Sequence, residues 1–206
     1  LSHDGTGGKL KGSNGLRSGR QKGAESTVDQ FNFSSKVDYY GIRGLRLGLS
    51  GYFGRTQAAD DQAGILGSTV GVSMVGVDAR YRLRKFSARG QFIQASLSDS
   101  DQYNALTGRD LGKEISGYYL EAAYNLLPSS IVQRLEGFVR YEDYNTHAAT
   151  AGALAQNPAF HRKEWTTGLS YHLSPGSVFK VDYQSKSTAV SGSSYGQFNM
   201  GVGVWF

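Results

Sequence analysis

Apolar residues recur at every second position in nine separate stretches of this chain, with polar or small residues in the places between. Successive side chains of a strand point to opposite faces, so a two-residue period predicts strands with one greasy and one wet face. The first covers residues 30–40, with Phe31, Phe33, Val37 and Tyr39 opposite Asn32, Lys36, Asp38 and Tyr40. The second sets Leu45, Leu47, Leu49 and Phe53 against Arg46, Ser50 and Tyr52, and the third sets Val75, Val77, Ala79, Tyr81 and Leu83 against Asp78, Arg80 and Arg82. Phe86, Ala88 and Phe92 oppose Ser87, Arg89 and Gln91 in the fourth; Tyr118, Leu120, Ala122, Tyr124 and Leu126 oppose Glu121 and Asn125 in the fifth. Leu135, Val139 and Tyr141 face away from Glu136, Arg140 and Glu142, and Trp165, Thr167, Leu169, Tyr171 and Leu173 from Glu164, Ser170 and His172. Phe179, Val181 and Tyr183 oppose Lys180, Asp182 and Gln184, and a C-terminal strand makes nine. Ile93 and Phe138 break the rule by standing among polar positions.

The connections alternate as well. Short turns at residues 42–44, 84–85, 128–130 and 174–176 interleave with longer polar stretches at about 56–67, 98–113, 146–162 and 186–195. The last ten residues carry Phe198, Met200, Val202, Val204 and Phe206 on one face, with Gln197, Asn199, Gly201, Gly203 and Trp205 between them. This stretch resembles the C-terminal signature of bacterial outer-membrane β-barrels, which the barrel-assembly machinery reads. Short turns on one side and long loops on the other describe the same architecture, the short turns being periplasmic. Aromatic residues near strand ends, such as Tyr39, Tyr124, Trp165 and Tyr183, suit interface girdles with lipid outside. A soluble barrel would turn its greasy face inward, and sequence does not give the sense of the alternation.

Composition changes this picture little. Only 39% of residues are hydrophobic, while 28 Gly, 13 Tyr and only 3 Pro fit many strands and tight turns. No apolar run approaches the length of a membrane helix, which leaves a barrel open. The absence of Cys excludes disulfides and thiolate metal sites. Residues 1–28 are rich in Gly, Ser and bases (Lys9, Lys11, Arg17, Arg20, Lys22 against Asp4 and Glu25) and read as a polar extracellular loop. Gly7-Gly8-Lys9 is no phosphate loop, because His3 occupies the place of the required glycine and no strand precedes it. Bacterial single-chain barrels have even strand counts, so nine strands imply at least one more before Leu1. Residues 29–206 are then expected to be the C-terminal strands of one larger transmembrane antiparallel up-and-down β-barrel of about 16 strands.

Two segments sharpen the family. Arg140-Tyr141-Glu142-Asp143-Tyr144-Asn145-Thr146-His147 is followed by Asn157 to Tyr171, then by Phe179-Lys180-Val181-Asp182-Tyr183-Gln184 and the terminal Phe206. These resemble the last four strands of the porin family named for the phosphate-selective porins O and P. Gly41-Ile42-Arg43-Gly44-Leu45-Arg46-Leu47-Gly48 resembles an earlier hairpin of that family, and Gly15 to Lys22 one of its extracellular loops. The resemblance implies 16-stranded, often trimeric barrels that pass small ions or solutes, some lined by arginine and lysine at a constriction.

If the polar faces line a wet lumen, its bases are Lys36, Arg46, Arg80, Arg82, Arg89, Arg134, Arg140, Lys180 and Lys186. Its acids are Asp38, Asp78, Glu121, Glu136, Glu142, Glu164 and Asp182. Arg80, Arg82 and Arg89 form a short ladder on adjacent strands, and arginine's donor fork suits phosphate-like anions. The alternative is that such bases pair with neighbouring carboxylates as wall struts. His147 and His161 flank one long loop with Asp143 nearby; as scattered loop histidines they make neither a metal site nor a catalytic pair. The basic loop lacks aromatic interleaving, so nucleic acid is not expected; lipopolysaccharide phosphates or the pore mouth suit it better.

The sequence thus points to the C-terminal part of an outer-membrane porin, without cofactor or turnover, for passive diffusion of small hydrophilic solutes and ions, with an expected preference for anions. The rival is a structural barrel sheathing an electron-transfer or secretion partner.

Overall fold

A computed structural model describes residues 3–21, 23, 26, 28–57 and 69–205. Nine strands form one sheet in strict chain order: β1 (Phe33–Ile42), β2 (Leu45–Arg55), β3 (Gly71–Leu83), β4 (Phe86–Ser98), β5 (Glu114–Asn125), β6 (Arg134–Ala149), β7 (His161–Ser174), β8 (Ser177–Thr188) and β9 (Tyr195–Val204). Every neighbouring pair is antiparallel, so the topology is up-and-down throughout. Two-residue turns join three of the four hairpins at one end, with Gly44 left-handed (φ 78°) in the β1–β2 turn, where Gly costs nothing; the short turn expected at residues 128–130 is instead part of an eight-residue connection, 126–133. The connections at the other end are longer, and one holds a helix, α1 (Ser100–Thr107), that the polar run of residues 98–113 had not betrayed. No helix among the described residues is long and apolar enough to cross a membrane.

The two faces differ as the alternation requires. One cavity of about 630 Å³ touches Arg46 of β2, Arg80 of β3, Arg89 of β4, Glu121 of β5, Ser170 of β7 and Lys180 of β8. Side chains from strands this far apart meet around one volume only where the sheet curves, so the polar face is the concave one. The apolar face is convex and bare: Leu120 is 60% exposed, Trp165 56% and Met200 75%.

The bare band has a sharp edge toward the long connections. Its border residues are Phe53, Val75, Phe92, Tyr118, Tyr141, Trp165, Tyr183 and Phe198, one per strand from β2 to β9. The next residue outward on the same face is polar or glycine in every case: Arg55, Ser73, Gln94, Ser116, Asp143, Lys163, Ser185 and Gly196. Tracing paired residues from Phe198 through Tyr183, Thr167, Val139, Ala122, Ala88 and Tyr81 ends at Leu45, eight residues below Phe53. The border therefore slants across the sheet.

The buried core is small and lies elsewhere. Leu10, Leu16, Val70, Val72, Leu97, Tyr103 and Leu111 cluster on the polar face at the long-connection end, backed by Tyr52, Met74 and Ile115. Residues 3–20, expected to be a polar loop without structure of its own, fold through two 3-10 turns (Thr6–Gly8, Arg17–Gly19) and seat Leu10 and Leu16 in that cluster. The Tyr103 hydroxyl donates to the Gly5 carbonyl (2.9 Å) and accepts from the Leu10 N–H (3.1 Å), so one buried oxygen pins both sides of the segment. Burial pushes the Tyr103 phenol up from its usual range, with the Leu10 N–H working the other way. Removing that oxygen leaves two buried backbone groups without a partner. Tyr103→Phe is expected to lower unfolding stability by about 1–3 kcal/mol in denaturant titration of the refolded protein, and to speed proteolysis at Lys9 or Arg17.

Candidate functional site: the basic row on the concave face

The pairing registers bring together residues the sequence places far apart. Arg46 pairs with Arg80, Arg80 with Arg89, Arg89 with Glu121 and Glu121 with Arg140, making one unbroken row over five strands. Arg80 and Arg89 are thus true neighbours, as the ladder required. Arg82 pairs with Ser87 one step toward the short turns. The sequence did not reveal that Arg46 and Arg140 belong to the same row; only register shows it. Lys36 lies beyond this row toward the long connections, and Lys180 on the far wall of the cavity.

Several of these bases are struts. Asp78 receives Lys36 (3.0 Å) and Arg46, and both also approach Asp38 (3.6 and 3.8 Å). Arg89 makes a two-pronged contact with Glu121, Nε to Oε1 at 2.9 Å and Nη2 to Oε2 at 2.8 Å. Arg140 bridges Glu142 (2.7 Å) and Glu121 (3.9 Å) and lies 4.2 Å over the Tyr119 ring. Arg134 pairs with Glu136 at 3.4 Å and Lys186 reaches Glu164 at 4.0 Å.

Others are not struts. Among the described residues no carboxylate lies within 4.0 Å of Arg80, Arg82 or Lys180. The cavity carries six bases (Arg43, Arg46, Arg80, Arg82, Arg89, Lys180) against two acids (Glu121, Glu136), a surplus the strut pairs do not cancel. Lys180 Nζ sits 4.6 Å over the Phe138 ring, which explains why Phe138 stands on the polar face: it is a cushion for a cation, 9% exposed. Ile93 is the other exception; it remains 40% exposed on that face and nothing explains it.

The histidines depart from the expectation of plain loop residues. β6 runs on to Ala149, and it carries His147 into the interior at 1% exposure. His161 opens β7, and its Nε2 lies 2.8 Å from Asp143 Oδ1, with Lys163 Nζ at 3.9 Å from the same carboxylate. The expectation of two scattered loop histidines is therefore corrected: His147 is buried, and the antiparallel register brings His161 to Asp143. The pair sits on the convex face beside Trp165, away from the cavity, and no Ser or Thr hydroxyl is hydrogen-bonded to it among the described residues. No cluster of His, Asp and Glu suited to a metal occurs among the described residues.

The C-terminal strand presents Phe198, Met200, Val202 and Val204 on the convex face, each at least 64% exposed; Phe206 lies outside the described residues. The long-connection residues 58–68 lie outside them too.

Comparison with known proteins places this geometry. The fold is similar to that of OmpT, an outer membrane protein of Vibrio cholerae folded in vitro, with a TM-score of 0.55 over 86% of this chain and 56% of that one, at 13% identity. The shared feature is the fold: an antiparallel up-and-down sheet. The sequence is 25% identical over 187 residues to an uncharacterised protein of Aquifex aeolicus (strain VF5), covering 85% of this chain. The chain spans 42% of that protein's length. No family model matches the sequence.

If Asp78 is a strut and Arg80 is free, their removal should differ. Asp78→Ala removes the carboxylate that Lys36 and Arg46 share, leaves them Asp38, and is expected to cost about 0.5–1 kcal/mol of unfolding stability. Arg80→Ala should stay within about 0.5 kcal/mol of the parent in the same titration.

Proposed function

We propose that the chain forms nine strands of an outer-membrane β-barrel that conducts small hydrophilic solutes and prefers anions. The observation that carries this reading is the pairing of a concave basic row with a convex apolar band that slants across the strands. Eight residues of slant at about 3.4 Å each, over seven strand spacings of about 4.8 Å, give a tilt of about 40°. Membrane barrel strands lean by about 35–45°. On β5 the band runs from Tyr118 toward Leu126, a rise of about 27 Å along the strand and about 21 Å along the normal, near the about 25 Å of an outer-membrane apolar belt.

β1 and β9 run in the same direction, so the sheet closes antiparallel only with an odd number of further strands. Seven would give the 16 of the phosphate-selective porin O and P family that the sequence resembles, and that family's trimer is the assembly we adopt. In this arrangement residues 3–20 narrow the mouth, and Arg80, Arg82 and Lys180 offer a passing anion donors that no carboxylate already occupies. A pore bounded by low dielectric concentrates the field of such charges. Free phosphate-like oxyanions match the guanidinium fork, and no covalent step is needed. Lipid and lipopolysaccharide surround the convex face, and the apolar residues of β9 serve the assembly machinery.

The test is single-channel recording of the full-length protein in planar bilayers under a salt gradient. Discrete steps with an anion-selective reversal potential are expected, and Arg80→Gln with Arg82→Gln should move that potential toward zero by several millivolts. Glu121→Gln, which uncovers Arg89, should move it the other way. A folded and inserted barrel with no conductance would overturn the channel and favour a barrel that sheathes a partner protein.

A further inference from the structure

His147 is a buried polar group that neither the wall pairs nor the cavity uses. Its Nε2 contacts the Asp110 carbonyl, and its Nδ1 lies 3.3 Å from the Asn157 N–H. A carbonyl can only accept and a peptide N–H can only donate. Both contacts are therefore satisfied by a single state: the neutral ring with its proton on Nε2. The ring packs edge-on against Phe160, centroids 4.8 Å apart.

Three segments meet at this ring, and one of them is the mouth segment. Gly12 donates its N–H to Asp110 Oδ1 at 3.0 Å and accepts from the Thr146 hydroxyl, next to His147 in sequence. Any side chain at Gly12 would collide with the imidazole and the Asp110 carbonyl, so the backbone approaches the ring as closely as only glycine permits. Ser13 follows, its carbonyl held by Arg162 Nη2 at 2.9 Å. The charged groups around the ring are Asp110 and Lys113 on the connection before β5, and Arg162 on β7; Gly12, Thr146 and residues 157–160 bring none. The Asp110 carboxylate is turned to Gly12, and only its peptide oxygen meets the ring.

We propose that His147 is an acid-sensitive latch: its protonation sets an Nδ1–H against the Asn157 N–H, places a charge in a buried site, and releases residues 3–20 from the concave face. His3, on the same segment, acts in the same direction. Burial holds its pKa below the usual histidine value, with Arg20 adding to the effect. His3 therefore contributes its stabilisation in full above the ordinary imidazole range and loses it as pH falls below that range. Release widens the mouth, a consequence that rests on the channel reading; the latch itself does not.

These 206 residues hold no cysteine, so Ser18→Cys, with any cysteine elsewhere in the full-length protein replaced by serine, gives one labelling site on an exposed part of the segment. The full-length protein, spin-labelled there and folded in detergent micelles, is compared at pH 7.5 and pH 5.0. We expect the mobile fraction of the spectrum to rise at least threefold at pH 5.0 and to fall again on return, with the sheet's circular dichroism unchanged. His147→Gln keeps an N–H for the Asp110 carbonyl and takes no proton, so its spectrum should stay immobile at both pH values. His3→Gln should leave most of the acid response. No acid-induced mobility, or the same mobility in the His147→Gln protein, would overturn the latch. Should His147→Gln not fold, loss of the response in the His3→Gln protein alone would overturn it as well. Conductance steps recorded at both pH values separate the two readings: mobility without a conductance change leaves the latch and removes the mouth-narrowing role.

Discussion

A backbone amide away from water must find its partner inside the protein, and an up-and-down antiparallel sheet meets that demand with local pairings alone. In this chain every interior strand has neighbours on both sides, and each neighbour is the next or the previous strand in sequence. That condition frees the side chains from holding the fold together by burial. The hydrophobic cluster is confined to one end, and most large apolar residues are bare. In water such a surface would be an aggregation hazard; against hydrocarbon it is the stable arrangement. In the proposed barrel the two faces answer to two solvents, and the concave one is left to carry charge.

Charge on the concave face is sorted by register. Carboxylates there draw in the bases that their strand partners bring near, as Asp78 does with Lys36 and Arg46, and Glu121 with Arg89 and Arg140. Such pairs, half-exposed and screened, stiffen side chains more than they stabilise the sheet. What matters for an ion is what remains once the pairs are made. Arg80 and Arg82 stand on one strand between two sets of struts, with no carboxylate of the described residues within 4.0 Å.

The strands and the tight turns were legible because period two is a local signal, written in every strand and repeated nine times. The basic row was half legible: Arg80 and Arg89 were visible as neighbours across a two-residue turn, but the alignment of Arg46 and Arg140 depends on registers that no single strand encodes. The fold of the first segment was not legible at all. Residues 3–20 show no period because they are anchored by contacts such as Tyr103 to Leu10 and Arg162 to Ser13, made across a hundred residues or more of chain or nearly so. Their glycines read as looseness, whereas Gly12 is where the backbone comes closest to its anchor. His147 and His161 were misjudged for the same reason, since the strands that bury one and pair the other extend past the last clear alternation.

The slant of the strands has one more consequence. A strand that leans by about 40° drifts sideways as it rises, by about 17 Å over the height of the apolar band, or about three strand positions. The connection at the top of a hairpin therefore overhangs wall built by a different hairpin. In the proposed barrel, α1 and the residues around Asp110 stand over strands they are not joined to. A change that lengthens one connection thus alters the entrance above a part of the wall whose own sequence is untouched, and mouth and lining are free to vary separately.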